Sequence, residues 1–257
     1  MKPLAAALAA VLVCAPTAAR AETSLEKGKR VIAECVDALG GERFRHIQYR
    51  EEAGRAYSFY RERLSGLAIA TIYTQYESGV ADTAHQLSVR QRQNYGKKQD
   101  YGALFTETAI YDITFRGARE LEEERFLRYK DTTLNDIFYI LRIRLNEPGL
   151  TMESRGADVV DNRAVEIVEL VDADNRVVTV YFDQSTKVPV RQVFQRRDPK
   201  TRLNDEEVTL FTKYRTVEGI QWPFAVQRER NGEKIFELFS ESVHFDKSIP
   251  EKLFVKP

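Results

Sequence analysis

Apolar and polar residues alternate most regularly in the last third of the chain, where they predict three antiparallel strands. In the middle strand every second position is apolar: Ile220, Trp222, Phe224 and Val226. A period of two is typical of a strand with one buried face. The preceding strand is predicted to place four residues on one face: Val208, Leu210, Thr212 and Tyr214. Asn231-Gly232 then predicts a tight hairpin into a third strand over 234–245, since both central residues of that turn need positive φ.

Eight further segments upstream have strand-like composition between turn signals. They cover residues 47–60, 67–77, 84–95, 103–116, 151–160, 165–171, 177–182 and 187–197. Together with the three C-terminal strands, they predict about eleven strands joined mostly by short turns. The fold class is therefore mainly β (α+β), with the strands in antiparallel order.

Two regions have helical periodicity instead. Thr23-Ser24-Leu25-Glu26 has the form of a capping box, and it predicts a helix that runs to about Leu39. A helical insert is predicted to begin at Gly117, with a charge-rich helix over 119–128. A second helix, with a cap over 133–136, has apolar residues at helical spacing: Leu134, Ile137, Phe138, Leu141 and Leu145. We expect this insert to pack across the open face of a curved sheet; packing on the outer face is the alternative.

The first 21 residues have the features of a secretory signal peptide. Lys2 precedes a short apolar run, and Ala19-Arg20-Ala21 fits the small-x-small cleavage rule, so cleavage is predicted after Ala21. The apolar run is too short to span a bilayer, which takes about 20 residues. Lipid attachment at Cys14 is disfavoured because Val13 occupies a position that needs a small residue. Residues 22–257 are expected to form a single domain in the periplasm.

Charge and reactive residues argue against several function classes. The chain has 39 basic and 39 acidic residues, so its net charge does not favour nucleic acid as a partner. Cys35 is the only cysteine after the predicted cleavage, which excludes an intrachain disulfide, and it is expected to be buried. The three histidines, His46, His85 and His244, share no metal-ligand spacing, and no catalytic motif is found. No metal, cofactor or catalysis is predicted, and a secreted hydrolase is the least favoured alternative.

Aromatic residues on the predicted strands are the positive signal for function. They fit an ordinary core between sheet and helices. They also fit an incompletely filled curved sheet that holds an apolar ligand, with a few polar groups at its mouth. Each buried CH₂ of an acyl chain would contribute about 0.8 kcal/mol, so such a chain could bind without specific polar contacts. The residue pattern alone leaves both interpretations open.

Short motifs in the last third resemble those of a known superfamily. The motifs are Val180-Tyr181-Phe182-Asp183 with Thr186 and Pro189, then Tyr214 with Gly219-Ile220 and Pro223, then Asn231-Gly232, and at the end Ile249-Pro250 with Phe254 and Pro257. The order of signal peptide, helix, strands, helical insert and closing strands is also similar. In both respects the chain resembles the LolA/LolB-like outer-membrane lipoprotein-sorting superfamily.

This resemblance implies an antiparallel half-barrel whose concave apolar face is covered by helices and receives acyl chains. The implied protein is a periplasmic, non-enzymatic carrier of a lipid or lipoprotein acyl chain, expected to be a monomer that meets envelope proteins. The residues expected to line its cavity are Phe138, Leu141, Phe182, Tyr214, Trp222, Phe224 and Val226. The alternative is an envelope interaction or sensor module with a filled core and no ligand, which would contact partners through the loop at 198–205.

Overall fold

The computed structural model describes residues 21–77, 85–198 and 201–257, and the strands within them form one sheet. Residues 1–20 of the predicted signal peptide, which include Cys14, lie outside the described residues. Within the described part of the chain, no helix is both long and apolar enough to cross a membrane. The predicted fold class is confirmed, because the sheet is antiparallel, curved and unclosed, and helices are few.

The sheet of the described chain has thirteen strands arranged as two meanders. The strands are β1 (Tyr49–Tyr60), β2 (Arg63–Tyr76), β3 (Val89–Tyr95), β4 (Tyr101–Phe105), β5 (Ile110–Thr114), β6 (Gly117–Glu120), β7 (Thr151–Val160), β8 (Arg163–Val171), β9 (Val177–Asp183), β10 (Pro189–Arg197), β11 (Asn204–Val217), β12 (Ile220–Arg230) and β13 (Glu233–Phe245). Their order is β6-β5-β4-β3-β2-β1-β13-β12-β11-β10-β9-β8-β7. The pairing of β1 with β13 joins the two meanders, and β6 and β7 form the edges.

Helices precede the first meander and connect it to the second. They are α1 (Ser24–Leu39), α2 (Glu42–Arg45), α3 (Glu123–Leu134) and α4 (Ile137–Tyr139), which continues as a π-helix (Ile140–Arg144). A 3₁₀-helix at Glu251–Leu253 follows the second meander. The predicted capping box is confirmed, with reciprocal bonds between Thr23 and Glu26 of 3.2 and 2.9 Å. α1 lies so close to the edge strand β7 that a Cβ on Gly28 would be 2.4 Å from the carbonyl oxygen of Met152.

The predicted number of strands is too low because residues 101–120 hold three strands where one was expected over 103–116. The chain turns at Thr106, whose hydroxyl accepts hydrogen bonds from the amides of Thr108 and Ala109 at 3.4 and 3.0 Å. This side-chain turn needs no glycine or proline, so it lacks the usual sequence signal. Gly117 does not begin the helical insert as predicted but begins β6.

The helical insert starts later and is less regular than predicted. Its first helix, α3, covers Glu123–Leu134 instead of 119–128. The next helix is capped by Asp136 rather than by Thr133: the Asp136 carboxylate accepts from the amide of Tyr139 at 3.0 Å. After one α-helical turn the chain widens into the π-helix, a form frequent at functional sites.

The insert covers the concave face of the sheet, as expected. The Phe138 ring lies between Phe211 of β11 and Trp222 of β12, with centroid distances of 5.1 and 4.9 Å. On the other meander, Tyr129 of α3 packs on Phe105 of β4 at 4.5 Å. The insert therefore contacts both halves of the sheet, and the alternative of packing on the outer face is wrong.

Strand β11 does not keep the single face predicted for it. Phe211 and Tyr214, three positions apart, both pack against the core, whereas Thr212 is exposed. Between them Lys213 has a φ of 56°, a left-handed conformation that reverses the alternation of side chains. The Lys213 ammonium instead lies 4.7 Å from the ring centroid of Phe239.

Candidate functional site

The seven residues expected to line a cavity lie in one apolar cluster between the sheet and the insert. Five of them are buried members of this cluster: Phe138, Leu141, Phe182, Trp222 and Phe224. Tyr214 and Val226 are half-buried and pack against it. The fold thus brings together side chains from the insert and from β9, β11 and β12. That these side chains bind a ligand stays a prediction.

Trp222 lies at the centre of the apolar cluster and is 5% exposed. Its ring packs against Phe138 and, at 5.5 Å, against Phe245. The guanidinium carbon of Arg50 lies 4.6 Å from the Trp222 ring centroid, within the range of a cation–π contact. Because the chain has a single tryptophan, its fluorescence reports on this cluster alone.

The boundary of the cluster at α1 and β11 holds two polar groups in neutral form. Cys35 of α1 is fully buried and unbonded, as expected, and burial raises the pKa of its thiol. Burial likewise raises the pKa of Tyr214 well above its usual value. The Tyr214 hydroxyl donates to the carbonyl oxygen of Pro189 at 2.6 Å, which satisfies a polar atom in apolar surroundings.

The concave face also carries a buried polar belt that the sequence pattern does not reveal. Its members are Glu52, Thr74, Gln192, Glu207, Thr209 and Ser240. The Gln192 amide oxygen accepts from the backbone amide of Ile137 at 2.9 Å, and the Ser240 hydroxyl donates to the Glu52 carboxylate. These bonds satisfy groups whose burial would otherwise be costly. The interior beneath the insert is therefore amphipathic, with the apolar cluster beside a polar belt.

Glu207 of this belt connects the sheet to α3 through arginines. Its Oε1 atom lies 3.1 Å from Arg128 of α3 and 3.0 Å from Arg230 of β12. Arg196 of β10 lies 3.2 Å from Asp131 of α3 and 3.8 Å from the same Glu207 oxygen. At this point α3 is held to the sheet by ion pairs.

Arg144 fixes the C-terminal end of the insert and is only 1% exposed. It donates to Glu147 at 2.7 and 2.9 Å, to Asp172 at 2.6 Å and to the carbonyl oxygen of Leu134 at 2.5 Å. Because Asp172 lies in the loop between β8 and β9, this network joins both helices of the insert to the sheet. A cavity of about 10 Å³ lies beside it, room for about one water molecule.

The Arg144 network predicts a loss of stability in acid. Burial alone would raise the pKa of Asp172, but hydrogen bonds from Arg144 and Arg176 outweigh it, and the pKa lies below its ordinary value of 3.8. A carboxyl with a depressed pKa contributes stability that is fully present above the ordinary value and is lost as pH falls through the folded value. Urea denaturation between about pH 2 and 6 should show this loss, and Asp172→Asn should remove part of it. If the free energy of unfolding of Asp172→Asn fell with pH as steeply as that of the unmodified protein, Asp172 would not be the source of this acid sensitivity.

The three histidines do not converge. His46, His85 and His244 are 75%, 58% and 46% exposed, and each faces a different acidic residue. Across residues 21–77, 85–198 and 201–257, no group of three or more His, Cys, Asp or Glu side chains could hold a metal ion.

Comparisons with known proteins relate the chain to others through its fold. The sequence matches no protein-family model and has no significant match among the curated proteins. The structure is similar to a DUF1329 family protein from Desulfovibrio piger, with a TM-score of 0.59 at 10% identity, over 91% of this chain and 98% of that one. It is also similar to a putative outer membrane lipoprotein-sorting protein domain from Vibrio parahaemolyticus (TM-score 0.56, 10% identity, 90% and 97% covered). A LolA superfamily protein from Nitrosomonas europaea gives a TM-score of 0.54 at 10% identity, with 89% and 97% covered. The chain therefore has the LolA-like fold.

Proposed function

We propose that this chain is a periplasmic, non-enzymatic protein that binds the acyl chain of a lipid or lipoprotein beneath its helical insert. The observation that carries the proposal is that apolar residues of the insert, among them Phe138 and Leu141, fill the concave face of an open sheet. Displacing them would expose a continuous apolar surface that includes Phe182, Trp222 and Phe224. The predicted signal peptide and the lipoprotein-sorting description of one structural neighbour support the same compartment and ligand class.

The exchange of insert side chains for an acyl chain is close to balanced in free energy. Four buried residues of the insert contact the cluster: Ile137, Phe138, Ile140 and Leu141. Exposing them costs about 1.5–3 kcal/mol each, and an acyl chain of about 14 methylenes regains about 0.8 kcal/mol per CH₂. Both sums are on the order of 10 kcal/mol. A reversible carrier requires such a balance, because a ligand that gained far more would not be released.

Quenching of Trp222 by stearic acid brominated at mid-chain tests this function. We expect saturable quenching by the brominated acid and none by plain stearic acid, because bromine quenches tryptophan only at short range. Val226→Asp places a carboxylate at the edge of the cluster and should weaken binding about tenfold or more, since the apolar chain would pack against a polar group with which it forms no hydrogen bond. Val177→Asp, on a valine that is 43% exposed, is the matched control and should bind normally.

An envelope interaction or sensor module without a ligand is the second candidate, and the packed state of the apolar cluster favours it. The loop at 198–205 would form its contact surface, where Leu203 is 69% exposed; residues 199–200 lie outside the described chain. If the brominated acid produced no quenching up to its solubility limit, the acyl-binding proposal would be rejected. Crosslinking from Leu203 would then be the measurement that identifies a protein partner.

A further inference from the structure

Three arginines from separate elements border the apolar cluster on the concave face: Arg50 of β1, Arg142 of the π-helix and Arg228 of β12. Together they are the central arginines. Arg50 lies over Trp222, and the guanidinium carbon of Arg142 lies 4.3 Å from the ring centroid of Tyr76. Arg228 follows Val226 by two positions on β12, so both occupy the same face of the strand.

Each central arginine has an Nε atom that is buried and donates no hydrogen bond to any described residue. Arg50 uses another nitrogen, Nη2, to donate to the Thr74 hydroxyl at 3.2 Å. A buried donor without an acceptor costs about 1–3 kcal/mol, and native proteins hold few of them. Arg45, Arg191 and Arg196 also have a buried Nε atom without an acceptor. What distinguishes the central arginines is that all three border one apolar cluster, where a ligand would supply the acceptor.

Three carboxylates act on the central arginines, and each has another partner. Glu52 lies 3.5 Å from Arg50 and accepts from Ser240. The charge of Asp246 interacts with Arg142, and Asp246 accepts from the backbone amide of Gln48 at 2.7 Å. Asp136 caps α4 by accepting from the Tyr139 amide. Burial raises the pKa of its carboxyl, and the charges of Arg228 and Arg50 oppose that shift. Each of these carboxylates already accepts a hydrogen bond from another donor, so none of them satisfies the buried Nε atoms of the central arginines, and a buried donor left without an acceptor is costly.

We infer that the central arginines bind the anionic headgroup of an amphiphile whose acyl chain occupies the apolar cluster, an inference that rests on the proposed function. The headgroup is a carboxylate or a phosphate, because the planar guanidinium donors match the oxygens of either group. In this arrangement the cluster supplies affinity for the chain, and the central arginines select for the charge at its end.

The test compares brominated stearic acid with the uncharged brominated stearyl alcohol, using the quenching of Trp222 as the readout. The unmodified protein should bind the acid about tenfold or more tightly than the alcohol. Arg228→Gln should weaken binding of the acid much more than binding of the alcohol and so remove that preference; Arg228 is chosen because Arg50 contacts the fluorophore itself. Arg155→Gln, on an exposed arginine of β7, is the control and should change neither affinity. Displacement of the brominated acid by dodecanoate and by dodecyl phosphate tells the two headgroups apart.

The outcomes separate this inference from the function on which it rests. Equal affinity of the unmodified protein for acid and alcohol would overturn the inference and leave acyl binding intact, as would equal weakening of both ligands by Arg228→Gln. Quenching by neither compound would overturn both. If circular dichroism shows that Arg228→Gln does not fold, Arg228→Lys replaces it. This variant keeps the charge and should retain part of the preference for the acid. An unaltered preference would reject Arg228 as a ligand-binding residue.

Discussion

Replacing Arg144 with Met is expected to lower the free energy of unfolding by about 3–5 kcal/mol. Met fills much of the same volume but removes the charge, so Glu147 and Asp172, whose side chains are 4% and 2% exposed, would lose the buried guanidinium that they share. Asp172 would keep its ion pair with Arg176 at 2.8 Å. The carbonyl oxygen of Leu134 would also lose its donor. Urea denaturation followed by circular dichroism measures the change.

Two further variants show whether the removal of a buried ion-pair partner causes this decrease in the free energy of unfolding. Arg155→Met is the matched control, because Arg155 is 46% exposed and pairs with Glu153 at 3.3 Å; we expect a change within about 0.5 kcal/mol. The triple variant Arg144→Met, Glu147→Gln, Asp172→Asn replaces both buried carboxylates by neutral amides and should recover at least about 1 kcal/mol. A loss below about 1 kcal/mol in Arg144→Met would show that the network does not fix the insert.

Elements with local sequence signals were predicted well, and those fixed by a single side chain or backbone angle were not. Asn231-Gly232 forms the predicted hairpin, with φ values of 51° and 80°, because its conformational preference is local. The turn at Thr106 depends on a hydroxyl that is equally common within strands. The left-handed conformation of Lys213 has no local sequence signal. The reversal of side-chain faces that it causes in β11 could therefore not be predicted from the sequence.

The apolar half of the candidate site was predictable, and its polar half was not. Alternation identifies Trp222 and Phe224 as buried, because burial of apolar residues follows from their chemistry. A charged residue on a strand is normally assigned to solvent, and Glu52 is buried only because Ser240, 188 positions away, supplies a hydrogen bond. Contact over that range depends on the antiparallel pairing of β1 with β13, which the sequence does not encode locally.

Replacing Trp222 with Ala is expected to cost about 3–5 kcal/mol of unfolding free energy, the range for truncating a large buried aromatic side chain. The loss removes contacts with Phe138 and Phe245 and leaves Arg50 without the ring on which it lies. Phe115→Ala is the matched control, since Phe115 is 86% exposed and its truncation should change stability by less than about 0.5 kcal/mol. Urea denaturation followed by circular dichroism compares the two.

The same variant also tests whether the cluster is the acyl site. An apolar cavity of this origin stays free of water and accepts apolar ligands. A ligand that binds only the folded state raises stability in proportion to its affinity. Plain stearic acid should therefore raise the thermal midpoint of Trp222→Ala more than that of the unmodified protein, because the chain fills the space left by the indole. An equal shift in both proteins would place the acyl chain elsewhere, and no shift in either would speak against acyl binding altogether.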